Sequence, residues 1–206
     1  MFKSIQNYFN KKNLKDASYE FLFEPYSGDE YVCFDCETTG LSIQEDDIIS
    51  IGAVLIKNNT IVASKKFVKF IKPKTKLQIE AIKVHHIREC DLDDAEEIHS
   101  VIKEFLHFIG NRPLVGYFLE FDVGMVNKHL QAILGIKLPN KMIEVSSIYY
   151  DYKIETIPQG NIDLRFNTIL TQLNLPLLST HDAYNDAIMT AMMFVKLKNQ
   201  PKVKIK

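Results

Sequence analysis

No apolar run in these 206 residues approaches the roughly 20 needed to cross a bilayer. The opening stretch, Met1-Phe2-Lys3-Ser4-Ile5-Gln6-Asn7, is polar and mixed, without the charged segment and apolar core of a secretory signal. A cytoplasmic location and no membrane partner are therefore expected. Cysteine is scarce: three residues, two of them three apart, do not make a disulfide framework. There is no internal repeat, low-complexity segment or strong interior linker. Net charge is also nearly absent, at −1, so the total gives no support to a nucleic-acid partner, whose binders generally carry a basic surface. The charges are segregated, however. Lys65, Lys66, Lys69, Lys72, Lys74 and Lys76 form a basic stretch, and Glu89, Asp91, Asp93, Asp94, Glu96 and Glu97 an acidic one. A near-neutral total is thus compatible with a local positive field.

What remains is an ordinary globular composition, 46% hydrophobic and 25% charged, long enough for one domain with a real core. Residues 1–29 read as an N-terminal extension, with Phe2, Ile5, Tyr8 and Phe9 spaced as on a short amphipathic helix and a loop containing Pro25 and Ser27-Gly28. Residues 30–198 form the main domain and 199–206 a basic tail expected to fray. Tyr31-Val32-Cys33-Phe34 is an apolar strand, 47–57 and 60–71 are two more, and Asn58-Asn59 marks the hairpin between them. The period then changes. Residues 94–109 are helical in pattern, with Ile98, Val101, Ile102, Phe105, Leu106 and Ile109 on one stripe and Asp93 or Asp94 as cap. A strand at 113–117 and helices over about 122–134, 162–173 and 182–198 follow, the last two separated by Pro176 and a cap-like Ser179-Thr180 pair. A three-strand meander followed by alternating strands and helices specifies an α/β domain with a mixed sheet.

The chemistry lies in four acids. Asp35 and Glu37 share parity at the end of a buried strand and leave on one face. Asp122 opens a helix just after another strand, and Asp186 sits among Ala183, Ala187, Ile188 and Ala191. Singly, each has a plain reading as a turn residue, a helix cap or a solvated helix face. Together at a core edge they repel, because like charges raise one another's pKa, and a divalent cation removes that cost. An all-oxygen ligand set favours Mg²⁺ or Mn²⁺ over zinc.

FDCETTG (34–40) resembles the first motif of the DEDDh exonucleases, the group that includes the proofreading epsilon subunit of bacterial DNA polymerase III. VGYFLEFDVGMVNKHL (115–130) resembles the second, with its acid at Asp122, and HDAYNDA (181–187) the third, with His181 and Asp186. VHHI (84–87) is similar to the family's V-H-G-I. The ordered set covers residues 30–198 and implies a ribonuclease-H-like fold, a five-stranded mixed sheet flanked by helices. It also implies 3′–5′ hydrolysis by two ions about 3.5–4 Å apart. Asp35 then bridges both ions, Glu37 and Asp186 complete the site for the attacking water, and Asp122 supports the second ion. His181 is the general base, histidine being suited to taking a proton near neutrality. Thr38, Gly40, Leu41 and Phe118 are the expected substrate contacts. The implied substrate is a single-stranded or frayed 3′ end of DNA, with RNA ends as the alternative and a DNA polymerase as an expected partner. A catalytically idle binding subunit is the rival, opposed by the presence of all four acids and His181. One departure stands out: many members carry His-Asn where this chain has Tyr117-Phe118.

Other features have plainer readings. Cys33 and Cys36 are three apart on a strand, point to opposite faces and are expected to be buried structural cysteines. Adjacent His85 and His86 diverge on any regular element and fit a pocket rim or plain surface. The lysines at 65–76 suit an edge strand protected from aggregation, or contact with phosphate. Gln172-Leu173-Asn174-Leu175-Pro176-Leu177 resembles a peptide that docks on sliding clamps, but here it reads as a helix end with Leu173 and Leu175 in the core.

Overall fold

The computed structural model describes residues 2–156 and 161–200, with side chains at 7–154 and 161–200. Five strands form one mixed sheet: β1 (Glu30–Thr38), β2 (Ile48–Lys57), β3 (Thr60–Phe70), β4 (Leu114–Gly116) and β5 (Met142–Glu144). Their order is β3-β2-β1-β4-β5. The β1–β2 and β2–β3 pairs are antiparallel, and β1–β4 and β4–β5 are parallel. Asn58 and Asn59 take positive φ, 50° and 59°, as a two-residue hairpin turn requires. The outermost strand, β3, is largely exposed on its lysine-bearing stretch. Lys69 pairs there with Glu96 and Glu104 (2.9 Å), so the basic and acidic stretches meet each other.

Parity along β1 assigns the two faces of the sheet. Val32, Phe34 and Cys36 join the core with α3 (Ile98–Ile109) and α4 (Leu119–Leu134). Cys33 joins the other core, with α5 (Val145–Thr156), α6 (Phe166–Gln172) and α7 (Ala183–Lys198). Successive strand side chains alternate between faces, so Asp35 and Glu37 share the Cys33 face and point toward α7. The α3 stripe is buried as expected, at all six of its apolar positions. Each such side chain contributes about 1.5–3 kcal/mol on leaving water. No helix among the described residues is long and apolar enough to cross a membrane.

Several boundaries differ from the sequence reading. The helix expected from residue 94 begins at Ile98, and its N-cap position is Glu97, not Asp93 or Asp94. Glu96 is held extended by a bridge to Ile71, and its carbonyl accepts the Lys72 N–H at 3.0 Å. α6 starts at Phe166, with residues before it non-helical, and α7 is capped by Asp182, whose carboxylate accepts Asn185 N–H at 2.9 Å, and not by Ser179-Thr180. The sequence reading missed β5, α5, the short helix α2 (Ile79–His85) and a 3-10 turn at Ala17–Phe23. α1 (Phe2–Lys12) exists, but Tyr8 and Phe9 are exposed. The segment before β1 packs on the domain, with Tyr19 and Leu22 buried in its core and Lys15 N–H donating to the Leu134 carbonyl (3.0 Å). The tail expected to fray lies, from 201 on, outside the described residues.

Candidate active site

β1 and β4 run parallel side by side, and a cavity of about 640 Å³ opens where they end. Such a position, beyond the carboxyl ends of adjacent strands, is where sheets of this kind leave room for ligands. Asp35 and Glu37 enter from β1, Asp122 from the first turn of α4, and His181 and Asp186 from the entry to α7. α7 is brought close by a missing side chain. A Cβ on Gly52 of β2 would overlap the backbone of Ala183 and Tyr184, so glycine lets the start of α7 lie directly on the sheet.

The acids fall into two groups. Asp35, Glu37 and Asp186 each offer a carboxylate oxygen within 4.8 Å of the others. Asp122 is not part of that cluster, though its charge acts on Asp35. It is buried, and its Oδ1 accepts the Cys36 N–H at 3.1 Å, which ties α4 to β1. Asp186 Oδ2 accepts the His181 N–H at 2.8 Å, while its Oδ1 is buried without a hydrogen-bond partner among the described residues. His181 itself is exposed, with φ of 60°, a left-handed conformation that turns the chain into α7.

Electrostatics follow from crowding. Burial, with Asp122, Glu37 and Asp186 adding to it, pushes Asp35 well above the usual carboxylate range. Burial and then Asp186 push Glu37 up to about 8. Burial raises Asp186 to about 6, against the opposing His181 N–H. Burial also raises Asp122, opposed by the Cys36 N–H. Three converging carboxylates with raised proton affinity, one of which carries a buried oxygen unpartnered among the described residues, fit a divalent cation. Oxygen-only donors fit Mg²⁺ or Mn²⁺.

The expected substrate residues separate. Leu41, 86% exposed, and Phe118, 73% exposed, both line the cavity as open apolar surfaces. Thr38 lines it too, but its hydroxyl donates to the Gly40 carbonyl at 2.6 Å. Gly40 is not among the residues that line the cavity, and an added Cβ there would come within 2.6 Å of Asp46 Oδ2. That buried carboxylate accepts Thr39 Oγ1–H (3.0 Å) and Ser42 N–H (2.8 Å) and so shapes the loop that presents Leu41. The pair that replaces His-Asn is split. Phe118 is open, whereas Tyr117 is half-buried, donates its hydroxyl to the Leu164 carbonyl at 2.8 Å and packs edge-on against Phe166. His85 is buried beside the Thr38 backbone with its Nδ1 accepting Ile87 N–H (3.0 Å), while His86 is exposed. Cys33 and Cys36 are both buried, and burial raises both thiols. Leu173 is buried and Leu175 packs on the same core, so the clamp-like peptide is a helix end.

Sequence reasoning missed Arg165, Asn167, Thr168 and Thr180, which also line the cavity. Residues 165–168 fall within the helix that the sequence pattern suggests over 162–173, and no local pattern distinguishes them. Gly52 was missed as well, since a glycine in a strand signals a close approach only once the approaching element is known.

The fold is shared with known nucleases. The nuclease domain of 3′hExo, described as a DEDDh family member bound to rAMP, superposes with TM-score 0.71 at 17% identity, covering 89% of this chain and 98% of that one. Exonuclease X in complex with 5′ overhanging duplex DNA gives 0.65 at 20% identity, covering 84% and 94%. In sequence, the chain is 33% identical over 180 residues to the PolC-type DNA polymerase III of Clostridium perfringens, and 31% identical over 191 residues to that of Staphylococcus epidermidis. These matches cover 84% and 93% of this chain but 12% of each relative, so the chain spans about an eighth of their length. The RNase_T exonuclease family model matches residues 32–194, and it is to this family that the chain belongs.

Proposed function

We propose that this domain removes nucleotides one at a time from single-stranded or frayed 3′ ends of DNA, releasing nucleoside 5′-monophosphates, in proofreading or repair. The observation that carries the reading is the meeting of Asp35, Glu37 and Asp186 oxygens within 4.8 Å on an open cavity, with Asp186 Oδ1 unpartnered among the described residues. Two Mg²⁺ or Mn²⁺ ions held by these residues and Asp122 would acidify the attacking water and offset charge on the scissile phosphate and leaving 3′ oxygen. His181, exposed at the cavity, takes the water's proton as the new phosphorus–oxygen bond forms and the bond to the 3′ oxygen breaks. Leu41 and Phe118 receive the terminal base by stacking, which tolerates any base. Similarity to PolC-type polymerases supports work beside a DNA polymerase. The presence of every acid and of His181 favours catalysis over a purely scaffolding role.

The test is product analysis with 5′-labelled single-stranded DNA, mismatched duplex and RNA, with Mg²⁺ or Mn²⁺ and with chelator. A ladder shortening from the 3′ end, with Asp35→Asn inactive, supports the reading; no metal-dependent shortening of any substrate ends it. RNA is the second reading because a neighbour of the same fold holds rAMP. Faster cleavage of RNA than of DNA selects it.

A further inference from the structure

A cavity lined by Asp35, Glu37, Asp122 and Asp186 is a poor place for a polyanion. Bound cations offset that charge around the scissile phosphate, but the strand continues, and its next phosphate needs a partner of its own. Among the described residues lining the cavity, Arg165 is the single side chain with a permanent positive charge. We propose that Arg165 holds the backbone phosphate one linkage upstream of the scissile bond, an assignment that rests on the exonuclease reading above.

The arginine is aimed. Asp163 accepts its Nε–H at 2.9 Å and its Nη2–H at 2.5 Å, and also accepts the Arg165 backbone N–H (3.0 Å) and Thr168 Oγ1–H (3.0 Å). This occupies the inner edge of the guanidinium. Nη1 has no partner among the described residues, and the side chain is 83% exposed. The loop bearing the pair is anchored to the cavity by the Tyr117 hydroxyl on the Leu164 carbonyl and by the Tyr117–Phe166 ring contact. Tyr117, one of the two aromatics at the position of departure from the family pattern, thus fixes the place of the arginine. An exposed Arg–Asp pair adds little to stability, so pinning alone gives no account of a cation at this rim. A guanidinium already ordered by a carboxylate loses less freedom on gripping a phosphate with its other edge, and planar donors suit phosphate geometry.

The experiment measures steady-state hydrolysis of single-stranded DNA by the full chain at several salt concentrations, with methylphosphonate linkages placed one at a time from the 3′ end. Arg165→Gln is expected to raise KM about tenfold, as loss of a charge-assisted contact does, with kcat little changed. The dependence of log(kcat/KM) on log salt should become shallower by about 0.7, the value of one single-strand phosphate contact. Wild type should lose efficiency when the linkage just upstream of the scissile bond is neutral, and Arg165→Gln should not respond to it. Arg165→Lys should recover the salt slope. Asp163→Asn, which frees the arginine without removing its charge, should keep it. Equal KM changes in Arg165→Gln and Asp163→Asn with the wild-type slope retained would show only a loop pin and overturn the proposal. An unchanged KM in Arg165→Gln would do the same. A wild type that hydrolyses nothing would instead remove the exonuclease reading itself.

Discussion

Gly52 lies directly opposite Asp35 in the β1–β2 ladder, and the space of its missing side chain is filled by the backbone at Ala183-Tyr184. One glycine therefore sets the distance between the strand that carries Asp35 and Glu37 and the helix that carries Asp186. Gly52→Ala should push the start of α7 off the sheet and spread the three oxygens apart. A misplacement of about 1 Å costs roughly 10²-fold in rate, and that is the expected loss in kcat. The rise in Tm on adding Mg²⁺ should shrink in parallel, while circular dichroism shows the fold retained. Full activity in Gly52→Ala would mean that α7 has slack the packing does not show.

How much of this was legible beforehand varies with the range of the cause. The strand, the two acids on one face and the α3 stripe follow from period alone, because alternation and the 3.6-residue repeat are local properties. β5, only three residues long, was invisible because its pairing with β4 supplies what its sequence does not. The helix over 162–173 was drawn too long for a similar reason: Asp163 holds Arg165 extended through side-chain bonds that periodicity does not encode. The ordered motifs single out Asp35, Glu37, Asp122, His181 and Asp186, and the structure brings all five to one cavity. The separation of buried, hydrogen-bonded Asp122 from the other three acids depended on the β1–α4 contact.

That separation makes the acids distinguishable by stability. In chelator, Asp35→Asn should stabilise the protein, since it removes a charge that Asp122, Glu37 and Asp186 all oppose. Asp122→Ala should destabilise it by about 1–3 kcal/mol, because the buried Cys36 N–H loses its acceptor. Both should be inactive. Chemical denaturation without metal decides the point, and shifts of the same sign would refute the division.

The raised carboxylates also fix a pH dependence. Glu37 at about 8 and Asp186 at about 6 hold protons in the folded state that the unfolded chain, at the ordinary values of 4.5 and 3.8, has already released. Their favourable contribution is full below the unfolded values and is lost as pH rises through the folded ones. His129, lowered by burial to about 4 from 6.5, acts oppositely and gains stability for the fold up to about 6.5. The clean window is therefore pH 6.5–8, where metal-free protein should lose Tm and added Mg²⁺ should restore progressively more of it. A Tm in chelator that is flat or rising across that window, or a Glu37→Gln variant that loses as much as wild type, would contradict the assignment.

The proposed role of His181 as the base can be tested without disturbing the backbone. His181 has φ of 60°, a conformation asparagine adopts readily, and its N–H holds Asp186. His181→Asn should keep that bond, and with it the metal-dependent rise in Tm, while the rate falls roughly 10²–10⁴-fold. The acidic limb of the pH–rate profile should disappear with it. If the limb survives unchanged, another group takes the proton.

Phe118 is a bulky residue at φ of 58° and 73% exposed, a combination that costs the fold and gains it little burial. A ring held at such expense over a cavity, with Leu41 open to the same space, fits the proposed stacking of a terminal base. Base stacking on an aromatic contributes about 1–3 kcal/mol, so Phe118→Ala should raise KM for single-stranded and mismatched 3′ ends by roughly 5- to 150-fold. The same variant should unfold at the same denaturant concentration as wild type or a higher one. A fully paired end must first give up its terminal pair, so wild type should degrade it more slowly than a frayed one, and Phe118→Ala should lose part of that difference because the extruded base has less to hold it. Leu41→Ala should act in the same direction with a smaller effect. Initial rates on single-stranded, mismatched and blunt ends measure all of this in one series. Equal wild-type rates on the three would remove the frayed-end model, and an unchanged KM in Phe118→Ala would leave the strained ring with no part in substrate binding.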